Sequence, residues 1–246
     1  MTKSEKVIYG SIEADRISGL LFDVDGTLSD TDDRLVDRLS RFLLPVSWLF
    51  KNRDSKRFAR RLLMAMETPG NFLYGLADSL GIDKYLAKIY HRLPQKKHTQ
   101  KSGQDLFWII PGVKDMLATL AEHYPMAVVS ARDAESTLHF LEHFGLVSYF
   151  DTIVTSQTCP HTKPYPDPVI YAAQQLGLKP ESCLMIGDTI VDVHAGKQAG
   201  AQTAAVLCGF GTQRELRRAG ADIVLSSTPD VMAELMDNFK AGSEPL

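Results

Sequence analysis

ISGLLFDVDGTLSDT, residues 17–31, ends an apolar run with two aspartates, Asp23 and Asp25, and then turns at once through Gly26. An apolar run closed by acidic residues and a glycine reads as a buried strand whose carboxyl end carries chemistry, the place where open α/β sheets build their sites. Two carboxylates this close cannot both stay ionised cheaply without a cation, unless one keeps a proton. Three later stretches, each at a predicted strand end, supply what such a pair needs: a hydroxyl (Ser130), an ammonium (Lys163) and a second acidic pair, Asp188 and Asp192. The set reads as a magnesium-dependent phosphoryl-transfer site.

From residue 111 the pattern alternates. PGVKDMLATLAEH repeats apolar residues at Val113, Met116, Leu117 and Leu120, which is helical spacing, and MAVVS (126–130) is a short apolar strand. Further helices are expected at 133–144, in PDPVIYAAQQLG, from about Val191 to Ala199, at 212–219 and from Pro229. Strands are expected in FDTIVTS, SCLMIGD, QTAAVL and ADIVLS. This alternation implies βαβ units: a Rossmann-like, mostly parallel sheet with helices on both faces.

Residues 32–104 break the rhythm. LVDRLSRFLL, SKRFARRLLMAM, NFLYGLADSLG and KYLAKIYHRL read as amphipathic helices separated by Pro45, Asp54, Pro69-Gly70 and Gly81. The expected organisation is a catalytic core of residues 1–30 and 107–246 with an inserted all-helical cap at 31–106. The polar, basic tract PQKKHTQKSGQ (94–104) is the expected hinge. Trp48, Phe50, Phe58 and Phe72 are expected to form the core of that cap, not a stacking surface for bases, so no nucleic-acid partner is expected.

Net charge is −3, but residues 31–108 hold 15 Lys and Arg against 8 Asp and Glu, and the rest of the chain holds 12 against 22. A basic unit beside an acidic one would draw in anionic substrates, although the same residues could simply solvate helix faces. No apolar run nears the roughly 20 residues that span a bilayer, and MTKSEKVIYGSIEADR is too polar for a secretory signal. FLLPVSWLFKNRDSKRFARR has the composition of a membrane-surface segment, but Pro45 interrupts its amphipathic run, so membrane contact is not expected. Three widely spaced cysteines (Cys159, Cys183, Cys208) without a CxxC suit a reducing compartment and no zinc site. The expected setting is cytoplasmic, as a monomer or homodimer.

An aspartate can attack phosphorus to give an acyl phosphate that water later hydrolyses, provided charge is neutralised between two anions. A second carboxyl group can protonate the leaving alkoxide and then deprotonate water. Gly26 allows backbone N–H groups to face a phosphate. Ser130 in VVSAR (128–132) is either a phosphate donor or a turn residue. Arg132 either forks onto phosphate or pairs on the surface with Asp133 or Glu135. Lys163 in TKPYPDP (162–168) lies on a loop stiffened by Pro164, Pro166 and Pro168. In LMIGDTIVDVHAGKQAG (184–200), Asp188 and Asp192 would share one face if the helix has already begun, as one metal ligand and one partner orienting water or Lys163. The alternative for Asp188 is a helix N-cap. His161 reads as a polar loop residue, and Gly209-Phe210-Gly211 as a plain turn.

In order, DVDGT, Ser130, Lys163 and GDTIVD resemble the four motifs of the haloacid dehalogenase-like hydrolases, over roughly residues 16–31 and 107–240. VLCGFGTQRELRRAGADIVLSSTPDVMAEL is similar to the phosphoglycolate phosphatase-like branch. The resemblance implies Asp23 as nucleophile, Asp25 as general acid/base, and Ser130 and Lys163 holding the phosphoryl group. It implies Gly26, Thr27, Ala131 and Arg132 beside the phosphate, and Mg²⁺ bound by Asp23, Asp188 and the Asp25 carbonyl, with Asp192 in the metal set. Asp25 sets the chain apart from the dehalogenases, which lack that carboxyl group. Ala131 stands where many relatives have a polar residue, and Cys208 where an aromatic one is common. The implied activity is hydrolysis of a small phosphorylated metabolite, with cap closure excluding water. A phosphotransferase or sugar-phosphate mutase, and a non-catalytic protein docking through its basic cap, are the alternatives.

Overall fold

The computed structural model describes residues 7–30 and 108–241. The predicted cap helices, the 94–104 hinge, the aromatic set Trp48 to Phe72 and the basic segment all lie outside the described residues. The chain divides into two units, residues 1–31 with 107–246 and residues 32–106, and every described residue belongs to the first. The chain leaves this core at Asp30 and re-enters at Trp108, whose carbonyl accepts the Asp30 N–H at 2.8 Å. The long excursion therefore begins and ends at one point.

Among the described residues seven strands form one sheet: β1 (Val7–Gly10), β2 (Gly19–Phe22), β3 (Met126–Val129), β4 (Thr152–Val154), β5 (Cys183–Gly187), β6 (Gln202–Val206) and β7 (Ile223–Leu225). Their spatial order is β1-β7-β6-β5-β2-β3-β4. From β7 to β4 every pairing is parallel; β1 runs antiparallel to β7 at the edge, with a register shift between Val7 and Tyr9. The sheet is thus mixed, not wholly parallel. Sequence pattern misses β1 because Ile8 and Tyr9 are about 40% exposed and leave no buried face to show a period of two. The Arg217 guanidinium covers the Tyr9 ring instead, 4.2 Å from its centroid.

Six helices among the described residues cover the two faces: α1 (Val113–Ala121), α2 (Ala134–His143), α3 (Asp167–Gln175), α4 (Ile190–Ala199), α5 (Gln213–Arg218) and α6 (Asp230–Ala241). The strands alternate cleanly. Leu20 and Phe22 of β2, Met126 and Val128 of β3, and Leu184 and Ile186 of β5 point to one face. There they meet Met116 and Leu117 of α1, Phe140 and Leu141 of α2, and Val231 and Leu235 of α6. Leu21, Ala127, Val129 and Met185 point to the other face, towards Val169 and Ala172 of α3 and Ala195 of α4. Leu216 of α5 packs with Val224 and Val193 beside them. Burial of alternate residues on both faces is why these strands read as nearly continuous apolar runs.

Local signals set the helix ends. The Asp133 carboxylate accepts the Ser136 N–H at 2.9 Å to start α2. Thr212 and Glu215 form a capping box at α5, and Thr189 with Asp192 forms another at α4.

The strand order places the site. From β2 the chain builds outward through β3 and β4, then crosses to β5 and builds the other way through β6 and β7. β2 and β5 are neighbours at this reversal, and loops leaving their carboxyl ends diverge to open a crevice. Phe22 is fully buried and meets the Phe150 ring edge-on, centroids 6.2 Å apart. Truncation of Phe22 to alanine should lower stability by about 3–5 kcal/mol in equilibrium urea unfolding. Leu138→Ala, at a position 39% exposed on α2, should change it by under about 0.5 kcal/mol.

Candidate active site

Five loops leave the carboxyl ends of neighbouring strands and converge. Asp23 follows β2, Ser130 follows β3, Lys163 lies between β4 and α3, Asp188 follows β5, and Gly209-Phe210-Gly211 follow β6. The Asp23 N–H bonds the Ile186 carbonyl of the adjacent strand at 2.9 Å, so the sheet ladder itself sets where its carboxylate emerges. Lys163 Nζ donates to Asp23 Oδ1 and to Asp192 Oδ1, each at 2.6 Å. All three side chains are buried. Asp23 and Asp192, 140 and 29 positions from Lys163 in the chain, thus share its ammonium.

Asp188 and Asp192 do not stack on a helix face. The cap of α4 is Thr189, so Asp188 precedes the helix and is not its N-cap, contrary to the alternative raised by sequence. The capping belongs to Asp192, whose Oδ2 accepts the Thr189 N–H at 3.0 Å and its hydroxyl at 2.6 Å. With Oδ1 on Lys163 and Oδ2 on Thr189, Asp192 is engaged at both oxygens and works as the anchor of the lysine.

Asp188 has a different environment. Its Oδ2 accepts the Phe210 N–H at 2.6 Å, and its backbone carbonyl accepts the Gly211 N–H at 3.1 Å. The loop after β6 therefore wraps around this aspartate. A Cβ at Gly209 would lie 2.0 Å from Asp188 Oδ2, and one at Gly26, where φ is +73°, would lie 2.4 Å from it. Both contacts are closer than any side chain tolerates, so glycine is required at each. The sequence offered Gly209-Phe210-Gly211 only as a turn, and its role as a collar was missed. A GxG after a strand that neighbours the acidic strand is the one signal that pointed to it.

Asp188 Oδ1 is buried and has no hydrogen-bond partner. A fully buried carboxylate with one orphaned oxygen is costly unless a proton or a cation completes it. Asp23, Asp188 and Asp192 each offer an oxygen within 4.8 Å of the others, the one such acidic group among the described residues. Three carboxylates around a single ammonium leave an excess of negative charge. Burial, then the charge of Asp192 and Asp23, holds the Asp188 carboxyl well above the ordinary carboxylate range. Burial raises Asp23 to about 7 against the opposing pull of Lys163. Burial alone would lower Lys163, but Asp192 and Asp23 override it and keep the ammonium charged. Hard oxygen donors, excess negative charge and an orphaned oxygen together fit a divalent cation.

The remaining predicted residues fall around this centre. The half-buried Asp25 is held by the Arg132 guanidinium, with Nε 2.6 Å from Oδ2 and Nη2 on Oδ1. The Arg132 guanidinium thus holds an acidic residue far along the chain, while the Asp133 carboxylate caps α2. Ser130 is buried and its Oγ accepts the Arg132 N–H at 3.1 Å, the short-range turn contact foreseen as its alternative role. Gly26 N–H bonds the Ser29 carbonyl at 2.9 Å and Thr27 N–H the Val24 carbonyl at 3.3 Å. These two amides close the turn. Thr27 is fully buried, its carbonyl accepting the Thr228 hydroxyl at 2.6 Å, while Ala131 is exposed. Cys208 Sγ donates to the Gly26 carbonyl at 3.4 Å. His161 Nδ1 lies 2.9 Å from Asp167 Oδ1, outside the cluster.

A family model for haloacid dehalogenase-like hydrolases matches residues 20–206. The phosphoglycolate phosphatase of Nitrosococcus oceani is 30% identical over 227 residues, covering 86% of this chain and 93% of that one. Pyrophosphatase PpaX of Oceanobacillus iheyensis is 27% identical, covering 91% and 99%. A hydrolase structure from Pseudomonas syringae is 25% identical with a TM-score of 0.61, covering 89% of this chain and 98% of that one. Among the described residues no helix is long and apolar enough to cross a membrane.

Cation binding here must displace protons. Asp23 takes up its proton at about 7 in the folded protein without a cation, but at ~4 when unfolded. The folded state therefore holds more protons between these values, and stability without cation falls as pH rises through that window. The same proton competes with the cation. Divalent-cation affinity, followed by titration calorimetry, should tighten about tenfold from about pH 6 to about pH 8; an affinity flat across that range would count against the assignment.

Proposed function

The chain belongs to the haloacid dehalogenase-like hydrolases, and from that premise we propose that it is a Mg²⁺-dependent phosphatase hydrolysing a small phosphomonoester through an aspartyl phosphate on Asp23. The observation that carries this reading is the sharing of Lys163 by Asp23 and Asp192 beside the orphaned Asp188 oxygen. An anionic nucleophile can approach an anionic phosphate only where positive charge is already in place. Lys163 supplies one such charge, fixed by Asp192 and Thr189. Asp23, Asp188 and the Asp25 carbonyl would hold Mg²⁺, which when bound would supply the remaining positive charge beside the phosphoryl group.

In the first half-reaction an Asp23 oxygen forms a bond to phosphorus as the ester P–O bond breaks, and Asp25 gives its proton to the leaving oxygen. In the second, Asp25 takes a proton from water as the water oxygen attacks phosphorus, and the bond to Asp23 breaks to release inorganic phosphate. The Ser130 hydroxyl, at the end of β3, accepts the Arg132 N–H and keeps its own hydrogen to donate to the phosphoryl group. Asp192 keeps Lys163 aimed at Asp23 and takes no part in bond making. The closeness to a phosphoglycolate phosphatase and to a pyrophosphatase supports a small substrate whose leaving group is itself an anion.

Asp23→Asn keeps the shape but not the nucleophile. Its rate of phosphate release from p-nitrophenyl phosphate should fall at least about 10³-fold while Mg²⁺-dependent binding of inorganic phosphate persists. Near-normal turnover in this variant would remove the mechanism.

A further inference from the structure

Arg132 holds Asp25 in a two-pronged ion pair at the rim of the crevice. The two side chains are 22% and 32% exposed, against 2% and 8% for Lys163 and Asp23. The arginine is also well anchored. Its N–H reaches Ser130 Oγ at 3.1 Å, its carbonyl accepts the Ser156 N–H at 2.9 Å, and its guanidinium lies 5.8 Å from the centre of the Phe140 ring. A guanidinium this constrained presents its donors in a set direction, towards the residue two positions after Asp23.

Both Asp25 oxygens are committed in this pairing. To serve the leaving oxygen as an acid, Asp25 must leave the fork and take up a proton, and Nε and Nη2 of Arg132 are then presented together beside the departing group. Two parallel N–H donors match the two oxygens of a carboxylate or phosphate, which a lysine ammonium cannot match as a pair. Binding energy from a part of the substrate that does not react can be spent on bringing Asp25 into play.

We propose that Arg132 is the residue that selects the leaving group, exchanging Asp25 for an oxyanion carried by the substrate a few atoms from the bridging oxygen. The inference rests on the phosphatase reading and deepens it. A neutral leaving group leaves the Arg132–Asp25 pair closed and is turned over poorly. An anionic one opens the pair and is favoured.

The test compares two esters alike except for the anion: 2-phosphoglycolate, with a carboxylate, and ethyl phosphate, with a methyl group in its place. In wild-type protein with Mg²⁺, kcat/KM should favour 2-phosphoglycolate. In Arg132→Gln that ratio should fall by about tenfold or more, with Arg132→Lys in between. Thermal melting confirms that each variant is folded. The same ratio is measured as dissociation constants in an Asp23→Asn background, with and without Arg132→Gln, where no turnover is needed. If wild-type protein hydrolyses neither ester nor p-nitrophenyl phosphate, the phosphatase reading fails, and the binding ratio still decides the role of Arg132. A wild-type ratio near one, or a ratio that Arg132→Gln leaves unchanged in binding, overturns the proposal.

Discussion

Three buried carboxylates around one buried ammonium is the constraint on which the rest of this molecule turns. Asp23, Asp188 and Asp192 come from two adjacent strands and the helix after the second, and Lys163 is the ammonium that opposes them. Water would screen such charges, but here it is excluded. Protons resolve the excess in the isolated chain, which is why Asp23 and Asp188 hold theirs far above the usual range. A divalent cation would resolve it by a route that leaves Asp23 ionised and able to attack. The site is electrostatically incomplete by itself, and that incompleteness is what makes it reactive towards a phosphate.

The scaffold holds these charges together against their repulsion. β2 and β5 are central, parallel and covered on both faces, so their ends are held by strand pairing on both sides and by packing above and below. Asp23 is tied to β5 through its own N–H, Asp192 to the first turn of α4, and Asp188 to the collar after β6. The rim is different. Asp25 and Arg132 are partly exposed and joined to each other, so the group proposed to move protons is held by a contact that can be exchanged. A stiff centre for the phosphoryl group and an exchangeable rim for the leaving group is a sensible division of labour for an enzyme that must be strict about one and selective about the other.

Much of the core was legible in the sequence because its signals are local. The apolar runs of β2, β3 and β5 end at Asp23, Ser130 and Asp188, and alternation with helices specified a doubly wound sheet. What escaped was whatever depends on a partner far along the chain. Arg132 was weighed as a phosphate ligand or a partner of its neighbours Asp133 and Glu135, and its bond to Asp25, 107 positions away, was not foreseen. Phe210 acts through its N–H, which no side-chain pattern reveals. Asp192 was read as a partner orienting water or Lys163, and it does hold the lysine; what spacing alone did not show is that it does so as third residue of a capped helix. The edge strand β1 escaped because its Ile8 and Tyr9 are both exposed and show no alternation. The residues of the inserted segment lie outside what the structure describes.

Whether Asp188 is a buried charge that needs a cation is the question on which the catalytic reading depends most directly. Asp188→Asn keeps an acceptor for the Phe210 N–H while removing that charge. Thermal melting of wild type and variant, in chelator and in millimolar Mg²⁺, measures this. In chelator the variant should melt about 3 °C or more above wild type; with Mg²⁺ the wild type should rise and the variant should not. A variant less stable than wild type in chelator, together with a wild type indifferent to Mg²⁺, would contradict it.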